Sequence, residues 1–244
     1  MSREFTVDQA IVEAFPQVRI HLIAVDGLRN GEDWPKAAAA VDELEADAAA
    51  GNWTALDAED PLIATWHAAY RSFGTNPKRM RPSVEALQRR LAKGGRLPRI
   101  TPAVDAYNLV SVRFGVPAGA FDLAALGEEP VMIRHAVEGD AFTPLGEPEV
   151  REEPKPGEVV YAQGHEVLTR HWNHRDADAT KVTAASASAV FVLDCVSAAA
   201  HAAGDAAAER LGELVSEGAR VTDHRVLDAA TRSARVGAEG PRAR

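Results

Sequence analysis

Residues 170–176 combine six side chains that can hydrogen-bond or ionise with a single tryptophan, Trp172. Asn173 and Arg175 could hold a carbonyl or phosphate oxygen, and Asp176 could orient Arg175 or accept a hydrogen bond from an amine. Trp172 could stack on a base or close off a pocket. A salt-bridged turn with Trp172 packed in the core also fits this composition, so the run alone leaves binding and structural roles open.

The same region offers potential metal ligands. Five of them fall within fourteen positions: His165, His171, His174, Asp176 and Asp178. The two central histidines lack the helical spacing of zinc proteases, and no thiolate accompanies them. We therefore expect no metal and no other cofactor here.

A second polar group lies at helical spacing earlier in the chain, where Asp105, Asn108 and Ser111 follow one another at intervals of three with Tyr107 beside them. An amide and a carboxylate there could hold an amino group or ribose hydroxyls. Local capping and buried hydrogen bonding are the commoner use of these residue types, and spacing alone favours that use.

Basic residues are concentrated in one segment of a chain whose net charge is −9. Between Arg71 and Arg99 there are nine Lys and Arg residues against the single acid Glu85. A local positive potential is what contact with the phosphates of a nucleic acid requires. A solvated helix face is the alternative, and charge alone does not decide between them.

Several other functions are disfavoured by missing motifs. The sequence has no phosphate-binding glycine loop and no Gly-x-Ser-x-Gly elbow, and its one cysteine, Cys195, lies in the apolar stretch 189–196. We interpret Cys195 as a core residue and expect no covalent nucleophile. Because no apolar run approaches eighteen residues and no leader is visible, we expect a cytoplasmic protein without a membrane span.

Periodicity and capping signals predict the elements that position these groups. A strand is expected at Val18–Val25. Further strands are expected between Phe114, where the fourth predicted helix ends, and Val196. Helices are expected from the cap Asp33 to Gly51, from the cap Asp60 through Phe73, from Pro82 to Gly94, at Ala103–Phe114 and at Ala206–Ser216. Helices early and strands late indicate an α+β class. We predict one domain over residues 1–230 and a flexible tail over 231–244.

Taken together, three segments resemble the B3/B4 module, the editing domain of the phenylalanyl-tRNA synthetase β-subunit, which also occurs as freestanding proteins. The likeness runs from about Val18 to Val196. The motifs that carry it are, in order, Arg71-Ser72-Phe73-Gly74, Asn76-Pro77, Arg81-Pro82-Ser83, Leu97-Pro98, Asp105, Tyr107-Asn108, Ser111, Trp172-Asn173, Arg175-Asp176 and Lys181 to Thr183. Nothing outside that span resembles other synthetase domains, so a freestanding member is expected.

The resemblance implies helices packed on a β-sandwich-like mixed sheet core, with a pocket between the helical and strand-rich halves. It also implies a trans-editing deacylase, a carboxylic ester hydrolase that frees a wrong amino acid from the 3′ end of tRNA without metal or covalent nucleophile. The expected partner is mischarged tRNA, with no DNA or membrane partner. A non-catalytic tRNA or amino-acid binding module of the same fold is the first alternative, and an unrelated small-molecule enzyme is the second.

Residue roles follow from chemistry and from position in these motifs. The expected catalytic residues are Asn173, Asp176 and Thr183, with Asn173 and Thr183 holding the attacking water. The expected substrate-binding residues are Asp105, Tyr107, Asn108, Ser111, Trp172, Arg175 and Lys181. The expected tRNA-binding residues are Arg71, Lys78, Arg79, Arg81, Arg89 and Arg90.

Overall fold

Residues 2–237 are described by a computed structural model, in which they form six α-helices and ten strands. The helices are α1 (Gln9–Ala14), α2 (Pro35–Ala50), α3 (Pro61–Ser72), α4 (Ser83–Gly94), α5 (Pro102–Phe114) and α6 (His201–Val215). The strands are β1 (Ser2–Val7), β2 (Arg19–Asp26), β3 (Ala118–Asp122), β4 (Val131–His135), β5 (Val159–Gln163), β6 (Glu166–Arg170), β7 (Arg175–Asp176), β8 (Ser188–Cys195), β9 (Arg220–Asp228) and β10 (Ser233–Gly237).

The strands form two sheets. The small sheet is antiparallel, in the order β3-β8-β2-β9, and the large sheet runs β10-β1-β4-β5-β6-β7. The large sheet is mixed, because β1 pairs with β4 in parallel whereas its other pairs are antiparallel. Strands β2 and β8 lie at the centre of the small sheet, and their nearly unbroken apolar runs are typical of strands covered on both faces.

The small sheet is the middle of three layers. On one face, Phe191 and Leu193 pack with Leu44 of α2, Val110 of α5 and Leu211 of α6. On the other face, Leu22, Val190 and Val192 pack with large-sheet residues, including Phe5 and Val131. Alternate residues of one strand therefore serve two cores, as strand geometry requires. This arrangement confirms the predicted α+β class, with helices packed on a β-sandwich-like core.

Most predicted helices are found where their capping signals place them. Asp60 caps α3 by accepting the Leu62 N–H, and Gly51 ends α2 in the left-handed conformation. The predicted cap Asp33 is wrong, since Trp34 occupies the cap position of α2 without a side-chain hydrogen bond. The Glu217 carboxylate, distant in sequence, accepts the free N–H groups at that helix start.

The C-terminal part of the described chain corrects another expectation. Strand β10 pairs with β1 from Ser233 to Gly237, inside the segment 231–244 that was predicted to be a flexible tail. The rest of that segment lies outside the described residues. None of the helices within residues 2–237 is both long enough and apolar enough to cross a membrane.

Candidate functional site

A small cavity of about 60 Å³ lies between the two sheets, and we call it the inner chamber. It is bounded by the edge strand β3, by the ends of β6 and β8, by the turn after β6 and by the start of α4. Its lining residues are Ser83, 118–121, Tyr161, Thr169, 172–174, Asp176, Val192 and Asp194. The chamber therefore lies between the two sheets, with the first residue of α4 at one side.

The turn 171–174 forms one wall of the inner chamber, and its backbone is unusual. His171 and Trp172 both have positive φ, 48° and 70°, which is rare for bulky side chains. The Trp172 ring is fully buried and packs edge-on against Phe15 and Trp66, with centroids 5.1 and 5.3 Å away. This packing holds a strained turn in one conformation, as is common at binding and catalytic sites.

The basic loop before α4 is hydrogen-bonded to this turn. The His174 Nδ1 group donates to the Arg81 carbonyl at 2.7 Å, and the Ser83 N–H donates to the Asn173 carbonyl at 3.1 Å. The basic segment and the chamber wall are therefore joined directly through two short contacts.

Asp194 lies at the deep end of the inner chamber. Its Oδ1 accepts a hydrogen bond from the Tyr161 hydroxyl at 2.5 Å. Burial raises the pKa of the Asp194 carboxyl to about 7, although the hydrogen bond from Tyr161 opposes that rise. The nearby Asp176 carboxylate raises this pKa further, because two like charges repel. Asp194 can therefore exchange a proton near neutral pH.

Asp176 forms part of the wall between the inner chamber and a second cavity. Its Oδ1 accepts a hydrogen bond from the Thr169 hydroxyl at 2.9 Å. Burial raises the pKa of Asp176, and the bond from Thr169 partly offsets this effect. Asp176 is thus a half-buried carboxyl that borders two separate spaces.

Three polar side chains of the inner chamber have hydrogens with no acceptor. Within residues 2–237, Ser83 Oγ, Trp172 Nε1 and Asn173 Nδ2 are buried and lack a hydrogen-bond partner. The orientation of the Asn173 amide is fixed, because its Oδ1 accepts from the Tyr70 hydroxyl at 2.8 Å. The N–H groups of Trp172 and Asn173 are near enough to lower the pKa of Asp194. Neither group forms a hydrogen bond of acceptable geometry with that carboxylate. Buried donors of this kind need an acceptor, and a bound ligand can supply it.

The second cavity, which we call the outer chamber, has a volume of about 320 Å³. It shares Ala120 and Asp176 with the inner chamber. Its other lining residues are Ile100, Thr101, Val104, Tyr107, Leu145, Ala177, 180–182, Thr183 and Ala184. The walls are mainly apolar with a few polar groups, which is the usual make-up of a small-molecule pocket.

The structure brings six predicted site residues to these two chambers. Trp172, Asn173 and Asp176 line the inner one, and Tyr107, Lys181 and Thr183 join Asp176 at the outer one. The Lys181 ammonium contacts Asp178 at 2.7 Å and remains partly exposed.

Four predicted substrate-binding residues line neither chamber. Arg175 is held by Glu147 and by Glu152 at 3.1 Å, and Asp105 accepts the Ile100 N–H at 2.8 Å. Asn108 and Ser111 are buried in α5. Asp105 thus serves local capping, the structural alternative for this polar group, and the salt-bridged turn with a buried Trp172 is also present.

The potential metal ligands of the same region have separate partners. His165 Nδ1 lies 3.1 Å from Asp140, His171 Nδ1 lies 2.8 Å from the Thr75 hydroxyl, and His174 contacts Arg81. Across residues 2–237, no group of three or more His, Cys, Asp or Glu side chains is arranged to hold a metal ion.

Several residues of the site were not predicted from the sequence, among them Asp194, Tyr161 and Asn30. Asp194 and Tyr161 lie in apolar strands, and an aspartate within the apolar stretch 189–196 was a signal that could have been used. Asn30 ties the walls of the outer chamber together, since its Nδ2 donates to Thr101 Oγ1 at 3.0 Å and to the Thr183 carbonyl at 2.8 Å. No local motif marks Asn30.

The predicted tRNA-binding residues lie on α3, on α4 and on the loop between them. Arg71 and Lys78 flank one open depression, whereas Arg81 contacts Glu85 at 3.5 Å and Arg89 reaches the same carboxylate at 4.0 Å. Arg81 is half-buried, and the other five are exposed: Arg71, Lys78, Arg79, Arg89 and Arg90.

Comparisons with known proteins give one family match. A family model described as the B3/4 domain matches residues 65–232. Among solved structures, an N-terminal fragment of the phenylalanyl-tRNA synthetase β-subunit from Pyrococcus horikoshii matches 95% of this chain at 13% identity, with a TM-score of 0.45. The chain spans about half, 53%, of that fragment's length. A search of the curated proteins found no match.

Proposed function

Because the chain belongs to the B3/4 domain family, we propose that it is a trans-acting deacylase that hydrolyses the ester of mischarged aminoacyl-tRNA. The observation that carries this proposal is the position of Asp176. It borders both the inner chamber, which contains buried N–H donors without a partner, and the larger, mainly apolar outer chamber. An ester placed at that junction has a carboxylate on one side and hydrogen-bond donors on the other.

The reaction requires little from the protein, because an aminoacyl ester is already activated. A water oxygen forms a bond to the carbonyl carbon, the bond from that carbon to the ribose oxygen breaks, and the ribose oxygen takes up a proton. The protein must orient the water and stabilise the negative charge that develops on the carbonyl oxygen.

We assign the water to Asp176. Its pKa is raised by burial, which makes it a better proton acceptor than an exposed carboxylate. The hydroxyl of Thr169 fixes one carboxylate oxygen and leaves the other for the water. Thr183 lies at the same outer chamber and remains a candidate for holding the water from the other side.

We assign the developing oxyanion to the unpaired donors of the strained turn. Asn173 Nδ2 and Trp172 Nε1 are buried N–H groups, and their positions are set by Tyr70 and by aromatic packing. Donors that are oriented before the reaction need not reorganise as charge develops, which is why they lower the barrier.

The same proposal gives the basic residues a role. Deacylation in trans requires that the protein bind the tRNA. The exposed cations on α3 and α4 provide this binding through contacts with phosphates. The hydrogen bonds from Ser83 to Asn173 and from His174 to Arg81 place this surface directly beside the chamber.

The test is a panel of mischarged tRNAs incubated with wild type and with Asp176→Asn. Loss of a general base costs roughly 10²- to 10⁴-fold in rate, and we expect a fall of that order. Asp42→Asn, a substitution at an exposed carboxylate of α2, is the matched control and should match wild type. Hydrolysis unchanged in Asp176→Asn would remove the assignment. Salt-sensitive tRNA binding with no hydrolysis of any ester would favour the non-catalytic binding module instead.

A further inference from the structure

The two chambers differ in size in a way that bears on the substrate. The inner chamber, about 60 Å³, is well below the roughly 150 Å³ of a protein cavity that accepts a benzene ring. The outer chamber, about 320 Å³, falls within the range of small-molecule pockets, roughly 300–1,000 Å³. An aromatic side chain therefore does not fit the inner chamber, whereas a group of a few heavy atoms does.

Gly119 leaves one side of the inner chamber open. It lies in β3 opposite Val192 of β8, and strand alternation puts its side-chain position on the same face as Phe121. Phe121 and Val192 both belong to the core between the sheets. A Cβ added at Gly119 would meet nothing within 4 Å, and its φ is not in the left-handed region. The inner chamber thus extends into the space that a side chain at position 119 would fill.

The inner chamber also has a charge preference. Asp176 and Asp194 both line it, and their carboxylates are close enough for Asp176 to raise the pKa of Asp194. A cation between or beside the two carboxylates relieves that repulsion. Every aminoacyl ester carries one cation next to its reactive carbonyl, which is the free α-ammonium group.

We propose that the inner chamber holds the amino acid, with its α-ammonium on Asp194, and that the outer chamber holds the terminal adenosine of the tRNA. The substrates are then esters of small amino acids with a free α-amino group, and Gly119 sets the size limit. This inference rests on the proposed function, since it divides an aminoacyl-tRNA between the two chambers.

The outer chamber has the surfaces that adenosine needs. Val104, Val182 and Leu145 offer apolar contact to a base, and the Lys181 ammonium supplies a positive charge for the adjoining phosphate. With adenosine there, the ester bond falls at the shared wall beside Asp176. The amino acid then enters the inner chamber, where it meets Asp194.

Binding of stable analogues tests this division directly. In these analogues an amide joins alanine or phenylalanine to the ribose of adenosine, so they cannot be hydrolysed as esters. By calorimetry, we expect the alanyl analogue to bind about tenfold or more tightly than the phenylalanyl one, because the latter does not fit. N-acetylation of the alanyl analogue removes the cation and should weaken its binding by a similar factor. Equal affinities, or no binding of any analogue, would overturn the inference.

Gly119→Val tests the size limit. The new side chain should fill the inner chamber and weaken binding of the alanyl analogue by about tenfold or more, while the affinity for adenosine monophosphate stays at the wild-type value. Gly212→Val is the control, because its added Cβ also meets nothing within 4 Å but it lies in α6 outside both chambers. Gly119→Ala gives an intermediate step should the valine variant fold poorly. Wild-type affinity for the alanyl analogue in both Gly119 variants would contradict the proposal.

The two proposals fail in different ways. If no aminoacyl-tRNA is hydrolysed but the alanyl analogue still binds selectively, the deacylase function is wrong and the division of the site stands. If aromatic and small esters are hydrolysed at equal rates, the deacylase function stands and the size limit is wrong.

Discussion

The hydroxyl of Tyr161 donates a 2.5 Å hydrogen bond to Asp194 Oδ1 across the two sheets, from β5 of the large sheet to β8 of the small one. Both groups are buried, and the bond favours the ionised form of a carboxyl that burial otherwise keeps protonated. The pair therefore sets the pH at which Asp194 ionises and adds a second negative charge to the inner chamber.

Tyr161→Phe should shift the pH dependence of hydrolysis. Removing the hydroxyl takes away a hydrogen bond that lowers the pKa of Asp194, so this pKa should rise above its present value of about 7. If ionised Asp194 binds the α-ammonium, the rising limb of kcat/KM against pH moves to higher pH. The measurement is kcat/KM as a function of pH for wild type and variant. A rising limb at the same pH in both would show that ionisation of Asp194 does not control the rate.

Asp194→Asn should stabilise the protein while it weakens substrate binding. The folded pKa of Asp194, about 7, lies above its ordinary value of 3.8, so ionisation opposes folding and wild type loses stability as pH rises from 3.8 to 7. The neutral amide has no such cost. We expect the variant's advantage in Tm to be small at pH 5 and larger at pH 8, which thermal unfolding at the two pH values will show. An advantage that shrinks with rising pH would contradict the raised pKa.

Arg175 and its neighbour Asp176 should behave differently on substitution. The Arg175 guanidinium is held by Glu147 and Glu152, and Arg175 lines neither chamber. Arg175→Gln should therefore leave the hydrolysis rate at the wild-type value and cost at most about 1 kcal/mol of stability, as expected for a partly exposed ion pair. A rate loss equal to that of Asp176→Asn would show that Arg175 does contribute to substrate binding.

The exposed cations of α3 and α4 should control tRNA binding and not chemistry. Replacing Arg71 or Lys78 by Gln removes a phosphate contact, which should lower the slope of log affinity against log salt by about 0.7 to 0.9 per contact. Arg210→Gln, on α6, is the matched control. Binding isotherms over a range of salt concentrations give these slopes. Salt-insensitive binding in wild type would instead favour an enzyme that acts on a small molecule.

His21 should make the protein sensitive to acid. Burial, and then the neighbouring His224, lower the pKa of His21 from 6.5 to about 4. Below pH 6.5 the unfolded chain therefore takes up a proton before the folded protein does, and stability is lost between pH 6.5 and pH 4. At 1.36 kcal/mol per pKa unit this amounts to roughly 3 kcal/mol. His21→Gln should lose less stability over that window in thermal unfolding, and equal losses would show that His21 titrates normally.

Much of the fold follows from local patterns in the sequence. Asp60 and Pro61 predict the start of α3 correctly, because capping and a fixed proline φ act within one turn. The wrong cap of α2 has a different cause. Its N–H groups are satisfied by Glu217, which lies about 180 positions away and has no local signature.

The candidate site was predictable only in part. Residues 170–176 stood out because six polar side chains surround one aromatic side chain. Asp194 did not stand out, because it lies within an apolar strand and its hydrogen-bond partner, Tyr161, lies on the other sheet. Gly119 could not be predicted as a site residue. It contributes only by lacking a side chain, and the strand beside it, β8, is its neighbour only in the folded protein.

The two hydrogen bonds between the basic loop and the strained turn have one more consequence. They connect the Arg81 and Ser83 backbone to His174 and Asn173, so the loop cannot shift without pulling on the wall of the inner chamber. Under the proposed function, tRNA binding at the basic loop and the position of the Asn173 backbone are therefore coupled. A free amino-acid ester makes no contact with that loop, so we expect it to be hydrolysed more slowly than the same amino acid on its tRNA.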